Sequence, residues 1–189
     1  MSKIRCHSGR GAFSRGFIPP PTPALLTKKS MAPKIFKVFL DSNVILSGLL
    51  SDQGAPRIIL DILTLKLPFL LGSTGEYNLS EIKRNLKKKM PGVFSVYKRY
   101  LSRLNLKIIS IPGPEEIKKK FSGQIADKDI PVLVSAIQSK ADFIVTEDKK
   151  HFEKLKVPGN YPLKIITPSE FLERVLPEII KEIQTVKAS

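Results

Sequence analysis

The sequence predicts an α/β fold in one domain, built around a central parallel sheet. Short apolar runs, typical of buried strands, alternate along the chain with longer segments of helical periodicity. Strands separated by helices need crossover connections, which place neighbouring strands parallel. A chain of 189 residues is long enough to bury a core of this kind. We therefore expect four to five parallel strands flanked by helices.

The first half of the predicted fold contains two strands and three helices. IFKVFL is a continuous apolar run and predicts the first strand, and PFLLGS predicts the second. Between them, NVILSGLL and APRIILDILTLK have helical patterns. The basic segment EYNLSEIKRNLKKK follows the second strand, and its apolar residues recur at helical spacing, so it predicts an amphipathic helix.

The second half continues the alternation. VFSVYKRYLSRL predicts another basic amphipathic helix, and it either faces a substrate or forms a solvated surface. IPVLVSAIQSK predicts a helix, and PSEFLERVLPEIIKEIQ predicts a closing helix with Pro168 near its start. The remaining predicted strands are LKIISI, DFIVT and LKIIT.

The predicted domain boundaries follow from composition. Residues 1–34 are predicted to be a basic, proline-containing disordered leader, because residues 1–30 carry six Lys and Arg, no acid and no periodicity. An over-extended start upstream of Met31 is favoured over a targeting segment. The folded domain is expected to span residues 35–175, followed by a C-terminal helix and tail, 176–189. The apolar face of that closing helix could serve the core or a homodimer.

The charge balance indicates a polyanionic partner. The chain carries a net charge of +15, and 26 basic against 17 acidic residues remain beyond residue 30, a net charge of +9. A basic surface attracts nucleic acid. No segment approaches the ~18 consecutive apolar residues of a membrane helix, so we expect no membrane association. The lone Cys6 excludes an intramolecular disulfide and suits a reducing compartment, so we expect a cytoplasmic protein.

Asp41 stands directly after the first predicted strand. Ligands of open α/β sheets bind just beyond the carboxyl ends of the strands, which makes this position a candidate site. The alternative is that Asp41 or Ser42 caps the helix that follows, as Asp and Ser commonly do. Taken alone, Asp41 fits the cap better.

Other acids occur at comparable positions. Glu147 and Asp148 follow the strand DFIVT, and Asp127 and Asp129 precede a predicted helix, where Asp129 by itself would be read as a cap. Glu81 lies within a helix and would by itself be a surface charge paired along it. Clustered carboxylates repel one another, however, unless cations bind or pKa values rise. The pattern therefore favours a Mg²⁺ or Mn²⁺ site with oxygen ligands, beside a basic surface suited to a phosphodiester.

Four segments in order resemble a known family. FLDSNVILSGLL, LSEIKRNL, DIPVLVSAIQSKADFIVTEDKKHF and KIITPSEFL together resemble a PIN domain, the nuclease fold of VapC-type toxins and related ribonucleases. GAPRIILDIL resembles a stand-alone, toxin-like branch of that family. The resemblance covers about residues 35–175 and implies a Rossmann-like sheet, Mg²⁺ or Mn²⁺ dependence, endonucleolytic cleavage of RNA, frequent dimerisation and inhibition by an antitoxin protein.

The resemblance also implies roles for individual acids. Asp41 matches the first family acid and Glu81 the helix acid. Asp129 matches the acid twelve residues before the AD pair, and Asp148 matches the acid after IVT. These four are implied to be catalytic and metal-binding.

The match leaves some positions open. Asn43 and Thr146 match polar residues that help to shape the site in the family. Asp127 competes with Asp129 for the third position, and Glu147 competes with Asp148. A further acid that many members carry near residue 151 is absent, which could weaken a second metal site.

Two rival hypotheses remain. The segment VFLDSNVIL also resembles the opening of haloacid-dehalogenase-type phosphohydrolases, with Asp41 as nucleophile, but that family usually has a second Asp where this chain has Asn43. The other rival is a PIN-like module that binds RNA or protein without cutting. Neither the RNA target, nor the number of metal ions, nor the oligomeric state follows from the sequence.

Overall fold

The computed structural model of the protein describes residues 33–110, 129–152 and 163–188. Five parallel strands form the central sheet of the fold. The strands are β1 (Phe36–Leu40), β2 (Leu70–Gly75), β3 (Leu106–Ile109), β4 (Phe143–Val145) and β5 (Lys164–Ile166). The predicted parallel sheet is thereby confirmed, with a strand at each expected position. The predicted leader lies outside the described residues, apart from its last two positions.

The strand order is β3-β2-β1-β4-β5. From β1 the chain adds β2 and β3 on one side of the sheet and then crosses over to add β4 and β5 on the other side, so the direction in which strands are added reverses at β1. In open α/β sheets such a reversal opens a crevice beyond the carboxyl ends of the central strands. Leu40 is in register with Val145, and the Asp41 N–H donates to the Val145 carbonyl at 3.1 Å. The residues that follow β1 and β4 therefore lie side by side at this crevice.

Helices connect the strands. In chain order they are α1 (Ser42–Leu50), α2 (Ala55–Thr64), α3 (Glu76–Lys89), α4 (Phe94–Leu101), α5 (Ile130–Gln138) and α6 (Lys149–Phe152). The helix predicted over residues 93–104 is shorter than expected. It is preceded by a 3₁₀ turn, Pro91–Val93, and its α-helical part ends at Leu101. Helix ends depend on terminal hydrogen bonds that periodicity does not encode.

The closing helix has three parts. Thr167 caps α7 (Pro168–Glu170) through a capping box with Glu170, a π-helical turn spans Phe171–Val175, and α8 (Leu176–Lys187) follows. Pro177 explains the wider turn, because proline lacks an N–H and its ring crowds the carbonyl four residues earlier. The N–H of Leu176 correspondingly donates to the Phe171 carbonyl, five residues back.

The core lies on both sides of the sheet. Val38 and Leu40 pack with α1, α2, α3 and the closing helix, whereas Phe39 packs against α5. This alternation follows from the two-residue period of a strand. Phe171 and Ile179 are fully buried in the first cluster, so the closing helix supplies core residues within one chain. A homodimer stays a prediction.

No helix in the described ranges is long and apolar enough to cross a membrane.

Candidate active site at the carboxyl ends of the strands

Asp41 lies at the centre of the crevice and is 7% exposed. Its Oδ1 accepts from the Ser42 N–H at 2.6 Å and from Asn78 Nδ2 at 3.3 Å, and its Oδ2 accepts from the Thr146 hydroxyl at 2.8 Å. Asp41 is also the N-cap of α1, so the cap and the site are not exclusive. A capping side chain ordinarily reaches the second or third N–H of its helix. Asp41 reaches the first, and it also contacts the side chains of Ser42, Asn78 and Thr146.

Thr146 organises the hydrogen bonds between β1 and β4. Its hydroxyl donates to Asp41 and accepts from Asn43 Nδ2 at 3.2 Å and from the Asp148 N–H at 3.1 Å. A hydroxyl has one proton and two lone pairs, so all its capacity is used. Asn43 Oδ1 in turn accepts from the Glu147 N–H at 3.3 Å. Both predicted supporting residues, Asn43 and Thr146, thus join the start of α1 to the loop after β4.

Glu81 is brought to the crevice by α3. The Ser42 hydroxyl donates to Glu81 Oε2 at 2.6 Å and lies 3.4 Å from Asp41 Oδ1. Ser42 therefore touches both carboxylates. Asn78, which donates to Asp41 Oδ1, lies one turn before Glu81 on the same helix. Helix α3 therefore places the side chains of both Asn78 and Glu81 near Asp41.

Asp129 occupies the N-cap position of α5, but its side chain makes no capping hydrogen bond. It lies near enough to Asp41 to act on that group electrostatically. Asp127, the competing acid, lies outside the described residues. Asp129 therefore stands at the cap position of the helix, as predicted, but its side chain does not cap the helix.

The two acids after β4 differ in their surroundings. Glu147 is exposed, and its Oε2 accepts from the Ser47 hydroxyl at 2.8 Å, more than one turn along α1 from Asp41. Asp148 is half-buried, and its N–H shares the Thr146 hydroxyl with Asp41. Of the pair, Asp148 has the closer hydrogen-bonded link to Asp41.

The electrostatics identify the carboxylates that interact. Burial raises the pKa of Asp41, and the nearby charges of Glu81 and Asp129 raise that pKa further. The hydrogen bonds from Thr146 and from the Ser42 N–H act in the opposite direction, because they favour the charged form. Asp41 is thus held among like charges that oppose its ionisation.

Sequence reasoning missed Asn78 and the contact made by Ser42. Asn78 is fully buried, and its Nδ2 also lies 3.5 Å from the Leu40 carbonyl. Its Oδ1 has no hydrogen-bond partner among the described residues. A signal was present, because an amide three residues before Glu81 on a helix lies on nearly the same side. The Ser42 contact had no local signal, since its partner is 39 residues away.

The donor chemistry fits a hard cation. Asp41, Glu81 and Asp129 offer only oxygen ligands, which Mg²⁺ and Mn²⁺ prefer, and a cation would relieve the repulsion that raises the pKa of Asp41. Within the three described ranges, however, no group of three or more His, Cys, Asp or Glu side chains is already spaced to hold a metal ion. Asp127 lies outside these ranges.

Comparisons with solved structures find similar folds. A chain in the crystal structure of VapBC2 from Rickettsia felis bound to a promoter DNA fragment matches with a TM-score of 0.51 and 17% identity, over 70% of this chain and 98% of that chain. A chain of DNA-bound VapBC from Salmonella typhimurium matches with a TM-score of 0.51 and 16% identity, over 71% and 99% of the respective chains. PAE2754 from Pyrobaculum aerophilum matches with a TM-score of 0.52 and 16% identity, over 75% and 96%.

No curated protein sequence matches the chain. A family model described as a PIN domain matches residues 37–150, which include all of β1 except Phe36 and the loop after β4. These residues make up more than half of the 189 in the chain. The protein therefore belongs to the PIN domain family.

Proposed function

We propose that this protein is a Mg²⁺- or Mn²⁺-dependent endoribonuclease. The observation that carries the proposal is the position of Asp41, a buried carboxylate at the carboxyl edge of β1 whose pKa is raised by burial and by Glu81 and Asp129. Like charges close to a buried carboxylate are energetically unfavourable, and groups perturbed in this way are concentrated at functional sites. The basic composition of the chain supplies the complementary attraction for a polyanionic substrate.

The chain's own residues would hold the reacting groups in place. Thr146 and Asn78 fix the Asp41 carboxylate from two sides, and Ser42 fixes Glu81. Fixed carboxylates lower the cost of reorganisation during a reaction. The acids proposed to hold the ion are Asp41, Glu81, Asp129 and Asp148, with Asp127 and Glu147 as alternatives to the last two. A bound ion would supply a water of lowered pKa and stabilisation of charge on the phosphodiester.

We also propose that an antitoxin protein inhibits the enzyme, and that the protein functions as a toxin in the cytoplasm, alone or as a homodimer. Support comes from the similar folds, several of which were solved as VapBC complexes. An antitoxin would need to reach the crevice or cover its entrance to block RNA.

The test is cleavage of a mixed single-stranded RNA pool by the purified full-length chain. The reactions contain Mn²⁺, Mg²⁺ or EDTA, and Asp41→Asn and Asp129→Asn are measured beside the wild type. We expect metal-dependent cutting that both substitutions abolish, with circular dichroism spectra like that of the wild type. Cleavage that persists in both variants would contradict the proposed site.

Two other results would favour the rival functions. RNA binding without cleavage in any metal, together with the absence of Mn²⁺ binding by calorimetry, would favour a non-catalytic module. A covalent phosphate on Asp41, detected by mass spectrometry after incubation with a phosphomonoester, would favour a phosphohydrolase. In the structure the position two residues after Asp41 is the amide Asn43, bound to Thr146 and Glu147, which leaves no second acid there.

A further inference from the structure

We infer that the exposed face of α3 binds the phosphate backbone of the RNA next to the cleavage site. This face is formed by the α3 basic strip, which we define as Lys83, Arg84, Lys87 and Lys88. With Ser80, these residues line an open groove of about 600 Å³. The inference rests on the proposed function, since it names the part of the substrate that this surface would hold.

The cations of α3 repel one another along the helix. Residues 82–89 contain five cations and no acid. Lys83 and Lys87 are four residues apart, as are Arg84 and Lys88, and like charges at this spacing destabilise a helix. Cations in the last turn, such as Lys87 and Lys88, are favoured by the helix dipole, but that effect fades beyond one turn and does not account for Lys83 and Arg84. A polyanion bound along this face would account for all four.

The position of the α3 basic strip suits a substrate of the crevice. Glu81 lies on α3 and contacts Ser42 beside Asp41. Lys88 is seven residues further along the same helix, or two turns, and so lies on nearly the same side, about 10 Å away. A stacked strand advances about 3.4 Å per nucleotide, so about three phosphates fit along this length. Arg84 and Lys88 therefore lie on the side of α3 that carries Glu81, and Lys83 and Lys87 extend the strip around the helix, away from the crevice.

An aromatic residue concentrates charge at the far end of the strip. Lys87 Nζ lies 5.4 Å from the centroid of the Phe94 ring, and Lys98 Nζ lies 5.2 Å from the same centroid. Ammonium groups are attracted to aromatic faces at such distances. Phe94 thus holds cations from α3 and α4 together, which extends the basic surface onto the next helix.

The test measures binding without cleavage. The full-length chain in EDTA is titrated against a fluorescent single-stranded RNA, and anisotropy gives the Kd at several salt concentrations. The variant is Lys83→Gln/Lys87→Gln/Lys88→Gln, since all three side chains are exposed and Gln has similar helix propensity. Each single-strand phosphate contact contributes about 0.7 to the slope of log Kd against log salt, so we expect the slope to fall by about 2 and the Kd to rise roughly 10- to 50-fold at 0.15 M salt.

The matched control is Lys164→Gln/Lys181→Gln/Lys187→Gln. It removes the same charge from three exposed lysines outside α3, and Lys164 begins β5 at the sheet edge opposite the crevice. We expect its Kd to stay within about twofold of the wild type, with an unchanged slope. Thermal melting of both variants checks that the fold is intact.

The outcomes separate the inference from the proposed function. Equal weakening in both variants would mean that binding follows net charge alone, and it would overturn the inference, as would unchanged RNA binding in the α3 variant. A poly-glutamate peptide is titrated in the same way. If the α3 variant loses binding to this peptide while its RNA affinity is unchanged, the strip binds an acidic protein segment, which also contradicts the inference. If RNA is bound through α3 but never cleaved, the inference stands and the nuclease proposal fails.

Discussion

The Thr146 hydroxyl donates a hydrogen bond of 2.8 Å to Asp41 Oδ2, across 105 residues of sequence. The two side chains follow β1 and β4, which pair at the centre of the sheet. Because the hydroxyl also accepts from Asn43 and from the Asp148 N–H, the proton it gives to Asp41 has a fixed direction. The hydroxyl thus links Asp41, Asn43 and Asp148, which leads to the first prediction.

Thr146→Val is expected to move the acidic limb of the pH profile for RNA cleavage to higher pH. The Thr146 hydrogen bond lowers the pKa of Asp41, and its loss leaves burial and the charges of Glu81 and Asp129 to raise it. Cleavage rates from pH 4 to 8 give the limb, and Thr146→Ser, which keeps the hydroxyl, is the control. An acidic limb that does not move in Thr146→Val would show that Asp41 ionisation does not limit the rate.

The pH dependence of stability should also report Asp41. Its pKa is raised in the folded chain above the ordinary 3.8, so the folded state binds a proton more tightly than the unfolded state. The stabilisation that protonated Asp41 gives to the folded state is fully present below pH 3.8, and it is lost as the pH rises through the pKa of Asp41 in the folded chain. In EDTA, the unfolding free energy of the wild type minus that of Asp41→Asn should therefore fall as pH rises from 3.5 to 7. Urea titrations measure this difference, and a flat or rising profile would contradict the raised pKa.

Mn²⁺ should stabilise the wild type and leave Asp41→Asn unchanged. An ion that binds only the folded state at 100 times its Kd contributes about 2.7 kcal/mol. For a chain of this length that corresponds to a rise in Tm of about 5–10 °C. Scanning calorimetry with Mn²⁺ and with EDTA tests this independently of any substrate. Equal shifts in both proteins would place the ion elsewhere.

Ser42→Ala is expected to reduce cleavage by about 10- to 100-fold, the range typical for residues that orient metal ligands. The substitution removes the hydroxyl that holds Glu81 at 2.6 Å. Ser47→Ala is the matched control on the same helix, because Ser47 donates to the exposed Glu147. We expect it to change the rate less than twofold. A large loss in Ser47→Ala would instead indicate that Glu147, rather than Asp148, acts in the site.

Gly75→Ala should destabilise the fold by about 1–3 kcal/mol through overpacking. A Cβ at this position would lie 2.8 Å from Ser135 Oγ and 3.3 Å from Asn78 Oδ1, and Ser135 is fully buried. Urea denaturation of Gly75→Ala, Ser135→Ala and the double variant forms a cycle, in which the double variant should recover part of the loss. Gly92→Ala, where a Cβ would meet nothing within 4 Å, should be neutral. Additive losses in the cycle would exclude the steric explanation.

The fold was predictable because its signals are local. Each strand is a short apolar run, so five runs predicted five strands, and β1 and β4 could be placed directly before Asp41 and Thr146. The breaks within helices were less predictable. The π-helical turn at Phe171–Val175 depends on how a proline-containing helix adjusts its hydrogen bonds, and the spacing of apolar residues does not indicate that adjustment.

The sequence by itself determined the elements and the presence of an acid after β1, because strand and helix patterns depend on residues only a few positions apart. Only the tertiary structure decided which side chains surround that acid. The strand order joins Asp41 to Thr146, α3 brings Asn78 and Ser42 reaches Glu81, over separations of 37 to 105 residues. Such contacts depend on how crossovers stack helices on the sheet, and that arrangement is fixed by packing of the whole core.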